Sequence, residues 1–259
     1  MKINLFLFIF SYCFSCYSQE FFDNEKIENT KNLKVLDSLI QKFPDVDNYY
    51  YRGYYNYDIG NYSEALSDYN KSLSLNPNDF KTYFSRGNLY IKLKDYKDAV
   101  NDFSQSISLD GNSYKAYFNR AYSKSKIGDL NGALNDYSHC IKINPEYILA
   151  YENRGLIEKE LNLHRDAILD FDKVIKANPK SAESFQSRAV CKAMINAKDA
   201  LNDFDTAVAL APKNPEGYYN RALYYINFKI KKDYCSDLKA ALNLGYLPAK
   251  ELITEVCKK

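Results

Sequence analysis

Few side chains in this sequence could do chemistry, and their spacing argues against most of it. Two histidines, His139 and His164, lie far apart in a chain of 259 residues. Neither has cysteines or carboxylates around it at the short, fixed spacings that hold a metal, such as CxxC or HExxH. No GxxxxGK[ST] loop is present to cradle a phosphate, no GxSxG elbow to present a nucleophile, and no GxGxxG turn to seat a dinucleotide. These residues predict no catalysis, no cofactor and no metal; an enzyme remains only as a remote alternative.

The cysteines say more. Cys140 and Cys191 fall on separate helical segments and are expected to be packed thiols. Cys235 and Cys257 flank the last stretch, CSDLKAALNLGYLPAKELITEVC, in which Leu238, Ala241 and Leu242 form one apolar stripe. Ala249, Leu252, Ile253 and Val256 form another, after the break at Leu247-Pro248. Folding the final helix back would bring the two sulfurs together. A disulfide closing a loop of that size stabilises by about 3 kcal/mol, provided the compartment is oxidising. The alternative is two free thiols.

Cys13 and Cys16 belong to a different kind of segment. Met1-Lys2 gives a positive start, residues 3–14 are nearly all apolar, and Cys16-Tyr17-Ser18 places small residues before a cut. That is the layout of a secretory signal peptide, 1–18, removed before Gln19. The apolar run is short of the roughly 20 residues that span a membrane. Two alternatives stand beside it: a lipoprotein signal lipidated at Cys16, which would tie the protein to a membrane, and a retained anchor. Each places the rest of the chain outside the cytoplasm, as an exported periplasmic or secreted protein or as a membrane-anchored lipoprotein.

The elements that must position everything else come from a repeat. An aromatic residue recurs at Tyr49, Tyr83, Tyr117, Tyr151, Phe185 and Tyr218, at a spacing of 34 that shortens once to 33 near Asn196. Four residues later stands Gly53, Gly87, Ala121, Gly155, Ala189 or Ala222, small enough to let two helices approach. A second helical segment carries Ala65, Ala99, Ala133, Ala167 and Ala200, each followed four residues on by Tyr69, Phe103, Tyr137, Phe171 or Phe204. Ser72, Ser106, Cys140, Val174 and Ala207 come next, and Pro77, Gly111, Pro145, Pro179 and Pro212 close the units. A fixed period of this length marks a stacked array of helical hairpins.

Arginine and aspartate repeat in step. Arg52, Arg86, Arg120, Arg154 and Arg221 precede Asp68, Asp102, Asp136, Asp170 and Asp237 by sixteen residues, and Arg188 precedes Asp203 by fifteen. A set present in every unit reads as a structural ion pair between helices rather than an active site. If exposed, each such pair contributes about 0–1 kcal/mol. The 35 basic and 33 acidic residues leave a formal charge of +2 with no block of one sign. That excludes the electrostatic footprint of a nucleic-acid binder.

This pattern resembles the tetratricopeptide repeat family over residues 46–245, with tyrosine where the family usually opens on tryptophan and Tyr234 in place of Ala in the last unit. The resemblance implies an all-α fold: an α-solenoid, a right-handed superhelix of antiparallel helix pairs whose first helices line a concave face. The expected units are 46–79, 80–113, 114–147, 148–181, 182–214 and 215–245. A leader and capping helix (19–45, helical over 25–43) precede them, and a capping helix (246–259) follows. Leu33, Leu36, Leu39, Ile40 and Phe43 would form the inner stripe of the first cap.

Carrying the family's concave positions over gives a candidate peptide-binding groove. It holds Tyr50, Tyr51, Tyr54 and Tyr57, then Lys81, Phe84, Asn88 and Lys92, then Lys115, Phe118, Asn119, Tyr122 and Lys126. At least three of these rings are expected to be exposed. Later units supply Glu152, Asn153, Leu156, Glu160, Glu183, Gln186, Tyr219 and Asn220, a more acidic set. Lys81, Asn88, Lys115 and Asn119 are reminiscent of the family's clamp for a terminal carboxylate, but Tyr54 stands where that clamp needs Asn. The resemblance thus implies a non-catalytic scaffold that binds a peptide or partner helix. The alternative is a structural subunit or lipoprotein of a cell-envelope complex.

Overall fold

Two to six residues between the amphipathic helices of each pair leave the second no course but back along the first. The computed structural model describes residues 31–257, which hold fourteen helices and no strand. Residues 31–42 form α1. The first unit, to Ser123, continues with α2 (Val46–Asp58), α3 (Tyr62–Leu75), α4 (Phe80–Leu93), α5 (Tyr96–Leu109) and most of α6 (Tyr114–Lys126). The second begins at Lys124 and holds α7 (Leu130–Ile143), α8 (Ile148–Glu160), α9 (His164–Ala177), α10 (Ala182–Met194) and α11 (Ala200–Leu210). It ends with α12 (Pro215–Asn227), α13 (Tyr234–Asn243) and α14 (Pro248–Val256). The class is the all-α solenoid of paired helices that the period implied. The signal segment and residues 25–30 lie outside the described residues.

Each hairpin is started and turned by local chemistry. The side chains of Asp45, Asp79, Ser181 and Asn214 accept from backbone N–H groups in the first turns of α2, α4, α10 and α12, satisfying donors that have no partner inside the helix. At the turn between the two helices of every pair, one residue sits in the left-handed region: Gly60, Lys94, Gly128, Asn162, Asn196 and Lys229, with φ between 52° and 87°. That conformation flips the chain direction within a few residues, and glycine adopts it without the Cβ penalty.

The small residues do what their position required. A Cβ added at Gly53 would lie 2.9 Å from the Tyr69 ring, and one at Gly87 would lie 2.8 Å from Phe103. The aromatic of the second helix therefore rests directly on the backbone of the first. Successive hairpins share the core: Leu89 of α4 joins Ala65 and Tyr69 of α3, and Cys191 of α10 joins Ala167 and Phe171 of α9. Ser72 adds a polar joint, its hydroxyl donating to the Val46 carbonyl at 3.1 Å and lying 3.2 Å from the Thr82 hydroxyl.

Three details differ from expectation. In α1 only Leu36 is buried, while Leu39 is exposed, as is Phe43 just past the helix, at 64%. His164, whose place in the repeat reads as the turn between two helices, opens α9 instead. The one-residue deletion near Asn196 does not shorten the turn: the connection 195–199 is longer than 161–163 before α9, and α11 loses its first turn instead, 11 residues against 14 in α3, α5 and α9.

At the carboxyl end α14 folds back on α13. Leu238 and Ala241 meet Ala249, with Leu242, Leu252, Ile253 and Val256 around them. Cys235 and Cys257 are joined as a disulfide with their Cα atoms 5.8 Å apart. Cys140 and Cys191 are free and fully buried, and burial pushes their thiols up to about 12 and about 11. Such thiols are inert packing groups at neutral pH.

Candidate functional site

The recurring arginine builds the frame on which the first helices are held. Arg52 donates through two nitrogens to the Asp68 carboxylate at 2.9 and 2.6 Å. Arg86 and Asp102, Arg154 and Asp170, Arg188 and Asp203, and Arg221 and Asp237 repeat this fork at 2.6–2.8 Å. The aspartates are buried, Asp68 and Asp170 at 3% exposure, so these are not the exposed pairs for which a small contribution was reckoned. Each arginine also lies over the opening aromatic three residues earlier, 5.4–5.9 Å from the centroid at Tyr49, Tyr83, Tyr117, Tyr151, Phe185 and Tyr218. Cation, ring and carboxylate fix the helix pair and leave the far side of the first helix open.

One position tunes each fork, and the sequence alone did not single it out. Four residues after the arginine, Asn56 donates to Asp68 at 3.3 Å, and Lys124 and Lys192 contact Asp136 and Asp203 at 2.8 and 3.0 Å. Tyr90 and Tyr225 instead place rings under Arg86 and Arg221. The fourth unit departs from this. Glu158 sets a second carboxyl beside Asp170, is 7% exposed, and has a buried Oε2 with no hydrogen-bond partner. Its Oε1 is 3.6 Å from Arg154 Nε, whose hydrogen bond goes to Asp170. Burial and the neighbouring Asp170 charge push the Glu158 carboxyl up to about 8, so at neutral pH it carries a proton that it can offer to Asp170. A column comparison of the six units, reading Asn, Tyr, Lys, Glu, Lys, Tyr, would have flagged it.

The candidate groove residues fall on three first helices: Tyr50, Tyr51, Tyr54 and Tyr57 on α2; Lys81, Phe84, Asn88 and Lys92 on α4; Lys115, Phe118, Asn119 and Tyr122 on α6. Lys126 ends α6 beyond the boundary of the first unit. Polar bridges tie these helices side by side. The Tyr50 hydroxyl lies 3.4 Å from Ser85 Oγ, between α2 and α4, and Asn119 donates to Asn88 at 2.7 Å, between α6 and α4.

The rings divide into two kinds. Tyr51 and Tyr54 are exposed, at 50% and 43%. Tyr50 packs edge-on to Tyr51 and against Tyr69, Tyr57 against Tyr62, Phe84 against Phe103, and Tyr122 against Tyr96. Two open rings therefore stand on a layer of half-buried ones, fewer than the three expected, because α3 and α5 offer aromatic partners to the rest. Lys81, Lys92 and Lys115 are exposed around them. The hydrogen bond between Asn88 and Asn119 engages two amides that a carboxylate clamp would need free. Among the described residues no group of three or more metal-ligating side chains exists, and no helix is long and apolar enough to cross a membrane. His139 is exposed, its Nδ1 2.8 Å from the Asn135 carbonyl, while the Nδ1 of His164 is buried without a partner.

Stacked helical hairpins with an open wall of first helices define a repeat protein of the interaction-scaffold class. Family profiles described as TPR repeat and tetratricopeptide repeat match residues 47–94, 80–113, 114–147 and 148–181, together one continuous stretch of more than half the chain. The chain belongs to the tetratricopeptide repeat family. Among solved structures it is similar to the carboxy-terminal part of a TPR repeat-containing protein from Cytophaga hutchinsonii, at 17% identity and a TM-score of 0.72, covering 91% of this chain and 97% of that one. It is also similar to MamA (24%, 0.61, covering 65% and 92%). A third is YrrB, described as a TPR protein with an unusual peptide-binding site (17%, 0.63, covering 71% and 97%). No curated protein sequence matches it.

Proposed function

We propose that the protein is a non-catalytic interaction scaffold outside the cytoplasm, and that the first unit's wall of α2, α4 and α6 binds an extended peptide or a partner's helix. One observation carries the reading: exposed Tyr51 and Tyr54 stand beside exposed Lys81, Lys92 and Lys115 on helices already bridged to one another. Tyrosine gives a partner broad apolar contact with a polar tip and few rotors to freeze, and the packed layer beneath needs no reorganisation on binding. The lysines favour a partner with acidic groups flanking an apolar or aromatic anchor. YrrB's described peptide-binding site lends support by fold alone. Location outside the cytoplasm rests on the signal-like segment 1–18, and it agrees with the Cys235–Cys257 disulfide.

The test is capture of partners from an envelope fraction by the intact protein and by Tyr54→Ala/Lys81→Ala/Lys115→Ala. The triple variant is expected to lose the captured proteins while keeping its helical circular dichroism. Unchanged capture would move the site elsewhere. Mass spectrometry of the mature amino terminus settles the export route. A start at Gln19 fits cleavage, and an acylated Cys16 would mean a membrane-tethered subunit.

A further inference from the structure

The wall changes character at the fourth hairpin. Aligned by the repeat, the positions of Lys81 and Lys115 hold Leu149 on α8, Glu183 on α10 and Glu216 on α12. The positions of Lys92 and Lys126 hold Glu160 and Met194, and those of Phe84 and Phe118 hold Glu152 and Gln186. Where α2 and α6 carry Tyr54 and Tyr122, α8 carries Leu156. The cationic and aromatic wall of the first unit thus has an anionic and aliphatic counterpart in the second.

This second wall is open. Leu149 and Leu156 are 49% and 41% exposed, seven residues apart on one side of α8, and Met194 on the neighbouring α10 is 60% exposed. The other side of α8 is closed by Ala150, Tyr151, Gly155 and Ile157. A single exposed leucine needs no explanation, but two in register on one helix form a stripe, and no other first helix carries an aliphatic residue at both positions. Glu160 and Glu183 are exposed beside it. Lys192 contacts Asp199 and Asp203, and Arg188 is held by Asp172 and Asp203. Lys159, 3.4 Å from the Ser187 hydroxyl, and exposed Lys180 keep their charge. Glu152, Glu160 and Glu183 outnumber those two, and the stripe is bordered on balance by negative charge.

We propose that the open face of α8 and α10 is a second docking site, for a cationic amphipathic helix of a partner protein whose aliphatic side chains seat on Leu149 and Leu156. A helix with apolar residues at i, i+3, i+4 and i+7 matches a stripe two turns long, and lysines or arginines on its flanks meet Glu152, Glu160 and Glu183. The site does not depend on the first wall, whose charge selects the opposite kind of partner.

The experiment uses two labelled peptides with leucine at identical helical positions, one with lysine and one with glutamate at all others, titrated by fluorescence anisotropy into the full chain carrying Tyr54→Ala/Lys81→Ala/Lys115→Ala, so that the first wall takes up neither. The lysine peptide is expected to bind at least tenfold tighter than the glutamate peptide. Leu149→Ser/Leu156→Ser added to this chain is expected to weaken it at least tenfold, and Leu149→Met/Leu156→Met to keep it. Glu160→Lys/Glu183→Lys should reverse the preference. The proposal is overturned if the lysine peptide does not bind, if it binds no tighter than the glutamate peptide, if the serine variant binds normally, or if the lysine peptide binds only when the first wall is intact; in that last case the first wall is the site.

Discussion

At the scale of single residues, the forks of arginine and aspartate turn sequence periodicity into energy. Arg86 holds the buried Asp102 through two hydrogen bonds and lies over Tyr83. Replacing it by leucine leaves a carboxylate in a dry site with no partner, and breaking such a pair costs about 3 kcal/mol. Burial already pushes the Asp102 carboxyl above its usual range even with Arg86 against it. Arg86→Leu should therefore lower the urea midpoint strongly at pH 7 and progressively less as pH falls, because burial without Arg86 favours the protonated Asp102 still further. Glu158 works in the other sense. Its folded pKa, about 8, lies above the ordinary 4.5, so the folded state binds one proton more than the unfolded state between those values. Stability from this group is complete below pH 4.5 and falls as pH rises through 8. Glu158→Gln keeps a donor toward Asp170 without the charge, and is expected to gain about 1–2 kcal/mol at pH 8 and nothing at pH 4.5. Thermal melts of both proteins across that range check it. A parallel pH profile would show that Glu158 is not the titrating group. The forks were legible in the sequence because they recur; Glu158 shows there only as the one acidic member of its column, and its meaning comes from a burial that only packing reveals.

At the scale of elements, the hairpin turn has one demanding position, and the chain fills it unevenly. Gly60 and Gly128 occupy the left-handed region without penalty, whereas Lys94 and Lys229 occupy it at φ 64° and 52° with side chains that resist it. A methyl group at Gly60 would meet nothing within 4 Å, so Gly60→Ala tests conformation alone. It is expected to cost about 1 kcal/mol, and Lys94→Gly to gain somewhat less than 1 kcal/mol, since added glycine also loosens the unfolded chain. Chemical denaturation of the two variants, shifting in opposite directions, checks the pair. The positions of helices and turns were readable from aromatic, small and proline residues at fixed offsets. Which ring faces solvent was not. Tyr51 and Tyr54 differ from Tyr50 and Tyr57 only in where α2 turns them, and the aromatic partners supplied by Tyr69 and Tyr62 decide the outcome. Phe43 likewise reads as core by its spacing and is exposed.

At the scale of the whole molecule, an array whose units bury their faces only on neighbours is weakest at its ends. The carboxyl end is closed by α14, with only Ala249 fully buried in it, and by the disulfide to Cys235. That bond closes a loop of 22 residues, which corresponds to about 3 kcal/mol through the unfolded chain. In a single cooperative core, this loss would lower protection everywhere. Here it should act locally, because α13 and α14 pack on each other and α13 reaches the rest of the second unit through α12. Hydrogen exchange with and without a reductant is the measurement. Reduction is expected to speed exchange of amides in α13 and α14 by about a hundredfold, while α8 and α9 keep their protection. Cys235→Ser/Cys257→Ser should reproduce the pattern without reductant. Equal loss of protection in α8 and α13 would mean that the second unit unfolds as one body, and that the disulfide guards the whole unit rather than its end.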